Sequence, residues 1–311
     1  MRVVVALGGN ALLRRGEPAD AAAQRQNITV AVKALAGLAG SHELVVTHGN
    51  GPQVGLLALQ GDSYAQVAPY PLDVLGAESE GMIGYLPDQE LVNALGARPV
   101  ATLLTQVIVG ADDPAFARPT KFIGPVYSER EARQLAYARR WSVAQDAEHW
   151  RRVVPSPEPR SIVELGTIRL LVEAGVLVVC VGGGGIPVTV DQDGRLHGVE
   201  GVVDKDLAAA LLAEGLGADV LMMLTDVPAV EVGWGTPRAR RLGDVTAGEL
   251  AAMSFASGSM GPKVRAACRF AERTGGLAAI GSLSEASEIL AGRSGTRIRA
   301  LPEAVAARPR P

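Results

Sequence analysis

Short apolar runs alternate along this chain with segments whose apolar positions recur at helical spacing. Arg2–Leu7 is apolar almost throughout and stops at Gly8-Gly9, as a strand buried on both faces would. Ala21–Leu38 carries apolar residues at i, i+3 and i+4 and leaves through a glycine, which predicts a helix. Glu43–Thr47 reads as the next strand, ended by His48-Gly49-Asn50-Gly51-Pro52 before a helix over Val54–Leu59. Leu72–Leu95 has helical spacing with a break expected at Pro87, and Pro99–Val109 is strand-like again. This βαβα rhythm predicts a mostly parallel sheet covered on both faces.

The pattern changes from Asp112 to about Arg160, where apolar runs thin out and Pro, Arg and aromatics collect. One helix is legible there, Glu129–Arg139, opened by the capping box Ser128-Glu129-Arg130-Glu131. Residues 112–160 therefore read as an inserted subdomain or lid. The rhythm then resumes with a helix over Ser161–Glu173 and a strand over Val176–Val181. Helix Lys205–Glu214 and strand Val220–Leu224 come next, then helix Pro262–Arg273, strand Leu277–Ile280 and a last helix near Glu285–Ala291. Residues after Pro302 read as a frayed tail.

Composition narrows the function classes. A chain of 311 residues with 48% hydrophobic positions can bury a large core. Its formal charge of −3 lacks the basic excess of a nucleic-acid binder. Two cysteines, Cys180 and Cys268, make no disulfide framework, and no Cys/His spacing suggests zinc. Ala174–Val190 is uncharged but holds five glycines and a proline, too irregular to span a bilayer. The expectation is a cytoplasmic protein with no nucleic-acid or membrane partner.

Four glycine-rich turns fall at predicted strand ends: Gly8-Gly9-Asn10, Gly49-Asn50-Gly51, Gly182–Gly185 and Gly258-Ser259-Met260-Gly261. Ligands of open α/β sheets bind at the carboxyl ends of strands, where glycine lets backbone N–H groups approach a phosphate. No glycine is followed by lysine, so a Walker A loop is absent, and neither GxGxxG nor GxSxG is found. Only four of the 30 basic residues are lysine: Lys33, Lys121, Lys205 and Lys263. A site that crowds several cations around one small phosphoryl group accepts the compact ammonium and not the wide guanidinium fork. Lys121, Lys205 and Lys263 lie beside Pro, Asp or Gly turns and are the candidates; Lys33 reads as a solvated helix face. Asp204-Lys205-Asp206 reads either as an acidic helix N-terminus favoured by the helix dipole or as a carboxylate, assigned to Asp206, that orients the neighbouring lysines. His48 reads as a structural turn histidine, with substrate contact as the alternative.

These segments together resemble carbamate kinases of the amino-acid kinase superfamily. The resemblance rests on Val4–Leu12, His48–Gly55, Pro71-Leu72-Asp73, Gly81–Tyr85, Pro119-Thr120-Lys121, Gly182–Pro187, Asp204–Ala208, Leu224–Val227 and Gly258–Lys263, in family order. Sibling kinases carry a lysine two residues before the Gly-Gly of the first strand, where this chain has Ala6. The resemblance implies that Lys121 supplies that cation instead. It implies an open, mainly parallel sheet sandwiched by helices, a small protruding subdomain and a homodimer. Residues 1–190 would form the carbamate lobe and residues 191–311 the nucleotide lobe. Gly8, Gly9, Asn10, Gly49, Asn50 and Gly51 would bind phosphoryl oxygens through backbone N–H groups, and Thr225, Asp226 and Met260 would border the nucleotide. The implied reaction is phosphoryl transfer between carbamoyl phosphate and ADP, giving ATP and carbamate, with Mg²⁺. Phe122 and Glu231 depart from the family pattern. Two other readings stand beside this one, a paralogue acting on another small acid and a non-catalytic nucleotide sensor.

Overall fold

The computed structural model describes residues 1–9, 12, 13, 17, 20–64, 66–255 and 260–300. Asn10, Gly258, Ser259 and the tail after Pro302 lie outside the described residues. Eight strands form one sheet in the spatial order Asp244–Thr246, Thr296–Arg299, Leu277–Ser282, Val220–Thr225, Arg2–Leu7, Glu43–His48, Leu177–Val179, Val100–Thr102. Every pairing is parallel except that of Leu277–Ser282 with Thr296–Arg299. Alternate residues of the first strand enter different cores: Val4 and Ala6 face one side, and Val3, Val5 and Leu7 the other. All five are at most 2% exposed, which is why the strand is apolar throughout rather than alternating.

Helix α1, Ala21–Ala39, and helix α3, Leu72–Leu95, cover one face. Between them in sequence lies α2, Gly51–Ser63, which belongs to a smaller core with Ile123 and Val154. Helix α4 is Glu129–Arg139, with the predicted capping box between Ser128 and Glu131. Helices α5, Leu165–Glu173, α6, Lys205–Leu216, α7, Ala247–Ala251, and α8, Met260–Thr274, pack on the opposite face of the large sheet. Among the described residues no helix is long and apolar enough to cross a membrane.

Three expectations are corrected. Helix α3 runs through Pro87 without a break, because Ile83, Leu86 and Leu91 are buried on both sides of it. That burial offsets the ~3 kcal/mol an interior proline costs. Pro99–Val109 is two strands: Val100–Thr102 ends the large sheet, and Gln106–Val109 joins a four-stranded sheet. Ser161–Glu173 is likewise split, with Pro159–Ile162 a strand of that second sheet. Glu164 makes the junction, accepting hydrogen bonds from the Gln106 backbone N–H (2.7 Å) and side-chain amide (3.0 Å).

Within 112–160, strands Lys121–Tyr127, Ser142–Asp146 and His149–Val154 form a separate antiparallel sheet beside α4. Guanidinium–aromatic layers replace part of an aliphatic core there: Arg151 lies over Phe122 at 5.6 Å, and Arg139 and Arg152 over Trp141 at 4.9 and 4.6 Å. The subdomain meets α2 where Gly124, at φ 69°, abuts Gly55, and Arg139 pairs with Asp62 at 2.5 Å.

Candidate active site

The first strand sits where the sheet order reverses: the chain proceeds from it to Glu43–His48 on one side and later to Val220–Thr225 on the other. Such a switch point opens a crevice at the carboxyl edge. Register places Leu7 opposite both His48 and Leu224, so Gly8-Gly9, Gly49-Asn50-Gly51 and Thr225-Asp226 leave the sheet side by side. Gly182–Gly185 follows the neighbouring strand Leu177–Val179.

Helix α6 points its N-terminus at these turns. Asp204 is its N-cap, accepting from the N–H groups of Asp206 (3.0 Å) and Leu207 (3.3 Å). The Lys205 stem crosses Gly49 so closely that a Cβ there would lie 3.1 Å from its Cδ and 3.8 Å from Gly9 Cα. Asp206, 4% exposed, accepts from Lys205 Nζ on one carboxylate oxygen (2.6 Å) and from Lys263 Nζ on the other (2.9 Å). Lys121, the first residue of the separate sheet, reaches Asp204 at 2.7 Å across 83 positions of sequence. Three lysines from three elements thus converge on two carboxylates, as Lys scarcity suggested. Lys33 is exposed on α1.

The division of labour differs from expectation in one respect. Asp206 orients Lys205 and Lys263, but Lys121 is held by Asp204, whose paired role as cap and counter-ion sequence reading did not separate. Its signal was present as an acidic residue at a helix start.

Burial alone would raise the Asp206 carboxyl, but Lys205 and Lys263 outweigh it and hold the group well below the usual carboxylate range. Lys205, for which Asp206 outweighs burial, is raised above the ordinary lysine value. Lys263 is the loosely protonated member: burial, then the Lys205 charge, bring it down to about 8.

The glycine turns divide. The Gly8 N–H donates to Leu224 O at 2.7 Å, so it has no proton to offer a phosphate, which corrects the donor role expected of it. Gly8 instead permits close approach, since a Cβ would stand 2.9 Å from that same carbonyl oxygen and 3.6 Å from Thr225 Oγ1. The N–H groups of Gly9, Gly49, Asn50 and Gly51 have no acceptor among the described residues. The Asn50 side chain turns away to Ser79 Oγ at 2.8 Å. Thr225 donates to Asp226 Oδ1 at 3.0 Å, and Met260 begins α8, three positions before Lys263.

Sequence reading missed Glu80 and weighed His48 as a turn histidine or a substrate contact. His48 is 1% exposed, its Nδ1 3.1 Å from Gly49 O, and burial lowers it to about 4. Glu80, also 1% exposed, is raised by burial to about 8. Both lie behind the glycine turns.

The amino acid kinase family matches residues 1–281. A carbamate kinase of Haemophilus influenzae is 55% identical over 96% of both chains. One of Escherichia coli K12 is 53% identical over 95% of this chain and 98% of its own. The solved carbamate kinase of Giardia lamblia bound to AMP-PNP superposes with a TM-score of 0.88 at 42% identity, covering 96% of this chain and 98% of that one. With the lysine–aspartate cluster at the switch point of an open α/β sheet, these likenesses make the chain a member of the carbamate kinases within the amino acid kinase family.

Proposed function

We propose that this kinase moves a phosphoryl group reversibly between carbamoyl phosphate and ADP, giving carbamate and ATP. The observation that carries the reading is the convergence of Lys121, Lys205 and Lys263 on Asp204 and Asp206 beside backbone N–H groups with no acceptor among the described residues. Such a cluster stabilises charge spread over a transferring phosphoryl group. Carbamate is already an anion, so its attacking oxygen needs no general base; His48 and Glu80, sealed behind the turns, are not placed to serve as one.

In this reading Lys121 and Lys205 face the transferring group and Lys263 the nucleotide phosphates, while Gly9, Gly49, Asn50 and Gly51 cradle phosphoryl oxygens. Asn10, expected to do the same, lies outside the described residues. Residues 1–190, with 112–160 closing over them, would hold the carbamoyl substrate. Residues 191–311, with Thr225, Asp226 and Met260, would hold the nucleotide.

Mg²⁺ would arrive with the nucleotide. Both Asp206 oxygens are taken by lysines, and no group of three metal-ligating side chains occurs among the described residues. Phosphate and water oxygens then supply its ligands, and its positive charge offsets theirs. A homodimer in the cytoplasm completes the reading: Met82, Tyr85 and Val92 give α3 an exposed apolar stripe that a second copy would cover. Sedimentation would report that assembly.

The deciding assay is ATP formation from ADP, carbamoyl phosphate and Mg²⁺ against a no-enzyme blank. Rapid turnover is expected. Absence of turnover with ADP still bound would overturn the substrate assignment.

A further inference from the structure

Behind the Gly182–Gly185 turn is a group of buried polar side chains that phosphoryl transfer does not use. Val181, fully buried, adopts φ 54° and ψ 35°, the left-handed region. For a β-branched residue this conformation costs on the order of 1–2 kcal/mol and persists only where surroundings enforce it. Gly183, Gly184 and Gly185 follow at φ 68°, 103° and 81°, so the chain reverses its handedness over almost the whole turn.

Three side chains grip this backbone, one on strand Glu43–His48, one on α3 and one in the loop before Gln106–Val109. Thr47 Oγ1 donates to Val181 O at 2.8 Å, and Thr105 Oγ1 accepts from Val181 N–H at 3.0 Å. The Glu80 carboxyl group accepts from Gly182 N–H at 2.7 Å and, with its other oxygen, from Thr105 N–H at 3.2 Å. All three are at most 1% exposed. His48 closes the back: a Cβ on Gly182 would lie 2.5 Å from its Nε2 and 2.8 Å from Glu80 Cγ.

The front of the same turn touches the site. A Cβ on Gly183 would fall 2.1 Å from Asn50 Nδ2, and one on Gly184 would fall 2.6 Å from Val203 O and 3.2 Å from Lys205 N. The Gly183 N–H has no acceptor among the described residues. Wherever the gripped backbone moves, Asn50 and the start of α6 must move with it.

We propose that Glu80, Thr105 and Thr47 are positioning residues that hold Val181 left-handed and thereby fix Gly183-Gly184 between Asn50 and Lys205, on the carbamoyl side of the active site. This inference rests on the carbamate kinase reading for its substrate but not for its geometry. A buried carboxyl and two buried hydroxyls are retained here because they answer backbone groups that an apolar filling would leave unpaired.

The test uses the full-length enzyme. Thr105→Val keeps the shape and removes the acceptor of Val181 N–H, while Thr105→Ser keeps the hydroxyl. Thr105→Val is expected to lower kcat/KM for carbamoyl phosphate by about 10²-fold, the scale of a small misplacement at a reacting centre. KM for ADP should hold, and Thr105→Ser should restore activity. Adding Val181→Gly should recover part of the loss, since glycine takes the left-handed conformation without strain. If Thr105→Val does not fold, Glu80→Gln, which turns an amide N–H toward Thr105 N–H, is read the same way. Amide exchange over residues 181–185 should quicken in the impaired variants and not in Thr105→Ser. Reduced melting temperature with unchanged kcat/KM for carbamoyl phosphate, or unchanged exchange over 181–185, would overturn the proposal. A wild-type enzyme inactive on carbamoyl phosphate would refute the substrate reading, and the exchange result would still decide the clamp.

Discussion

Replacing Asp206 with asparagine probes the centre of the site with almost no change of shape. The carboxylate faces two ammonium groups at 2.6 and 2.9 Å and is 4% exposed, so the amide leaves two buried cations without their shared counter-ion. Breaking a buried pair in this way costs about 3–5 kcal/mol when both partners stay charged. The protein has a cheaper route, which is to release a proton. Lys263 is already brought down to about 8 by burial and the Lys205 charge, with Asp206 opposing both. Without that opposition Lys263 falls further and is neutral at pH 8. The wild-type enzyme should lose nucleotide affinity as pH rises through about 8. In Asp206→Asn that basic limb should move to lower pH, and kcat/KM at pH 8 should fall by about 10²-fold or more, the scale of losing one preorganised charge contact. Activity should recover partly as pH is lowered and Lys263 regains its proton. The assay is ATP formation from pH 6 to 9 on variant protein whose fold is checked by circular dichroism. A folded variant with an unmoved basic limb and near-wild-type kcat/KM would refute the reasoning.

Three further outcomes are expected. Lys121→Arg keeps the charge beside Asp204 but widens the group, so kcat should fall by about 10²-fold with little change in melting temperature; full activity would sink the argument from lysine shape. Gly55→Ala, ordinarily favourable inside a helix, puts a Cβ 2.0 Å from Gly124 Cα, so it should push the 121–154 sheet off α2, lower activity and expose that sheet to proteolysis. Glu80, ordinarily 4.5 and here about 8, holds a proton in the folded state that the unfolded chain releases, so its contribution is present at low pH and is lost as pH rises toward 8. His48, brought down from 6.5 to about 4, acts oppositely below 6.5, which leaves Glu80 alone between 6.5 and about 8. Melting temperature should decline across that window by the equivalent of about 2 kcal/mol, and Glu80→Gln should flatten the decline.

The parts of the fold that sequence revealed are those where a single burial pattern governs a whole element. Arg2–Leu7 and Val220–Thr225 are enclosed on both faces, so their residue types leave little choice. The 121–154 sheet was illegible because its strands are only partly buried and gain packing from Arg over Trp and Phe, which carries no period-2 hydrophobic signal. Lys121, Lys205 and Lys263 were visible through their rarity against arginine. The identity of the Lys121 partner was not, since that pairing depends on how the subdomain docks. Glu80 was hidden for a different reason: on α3 it looks like any solvated glutamate, and only the left-handed backbone of Val181 gives it work.

The alanine at position 6 limits how such a site can change by single steps. It is 2% exposed in the core beneath the sheet, at the place where, by the resemblance noted above, sibling kinases carry a cation. Moving the charge from Lys121 back to that strand takes two substitutions, and neither order is easy. With the first strand altered first, a lysine enters an apolar core while Lys121 still holds its place beside Asp204. With Lys121 removed first, Asp204 loses its partner and, on the proposed reading, the transferring group loses a cation. On the reading proposed for Lys121, the chain is separated from its siblings by a valley rather than a slope, and drift at one position would not undo its reliance on the subdomain for that charge.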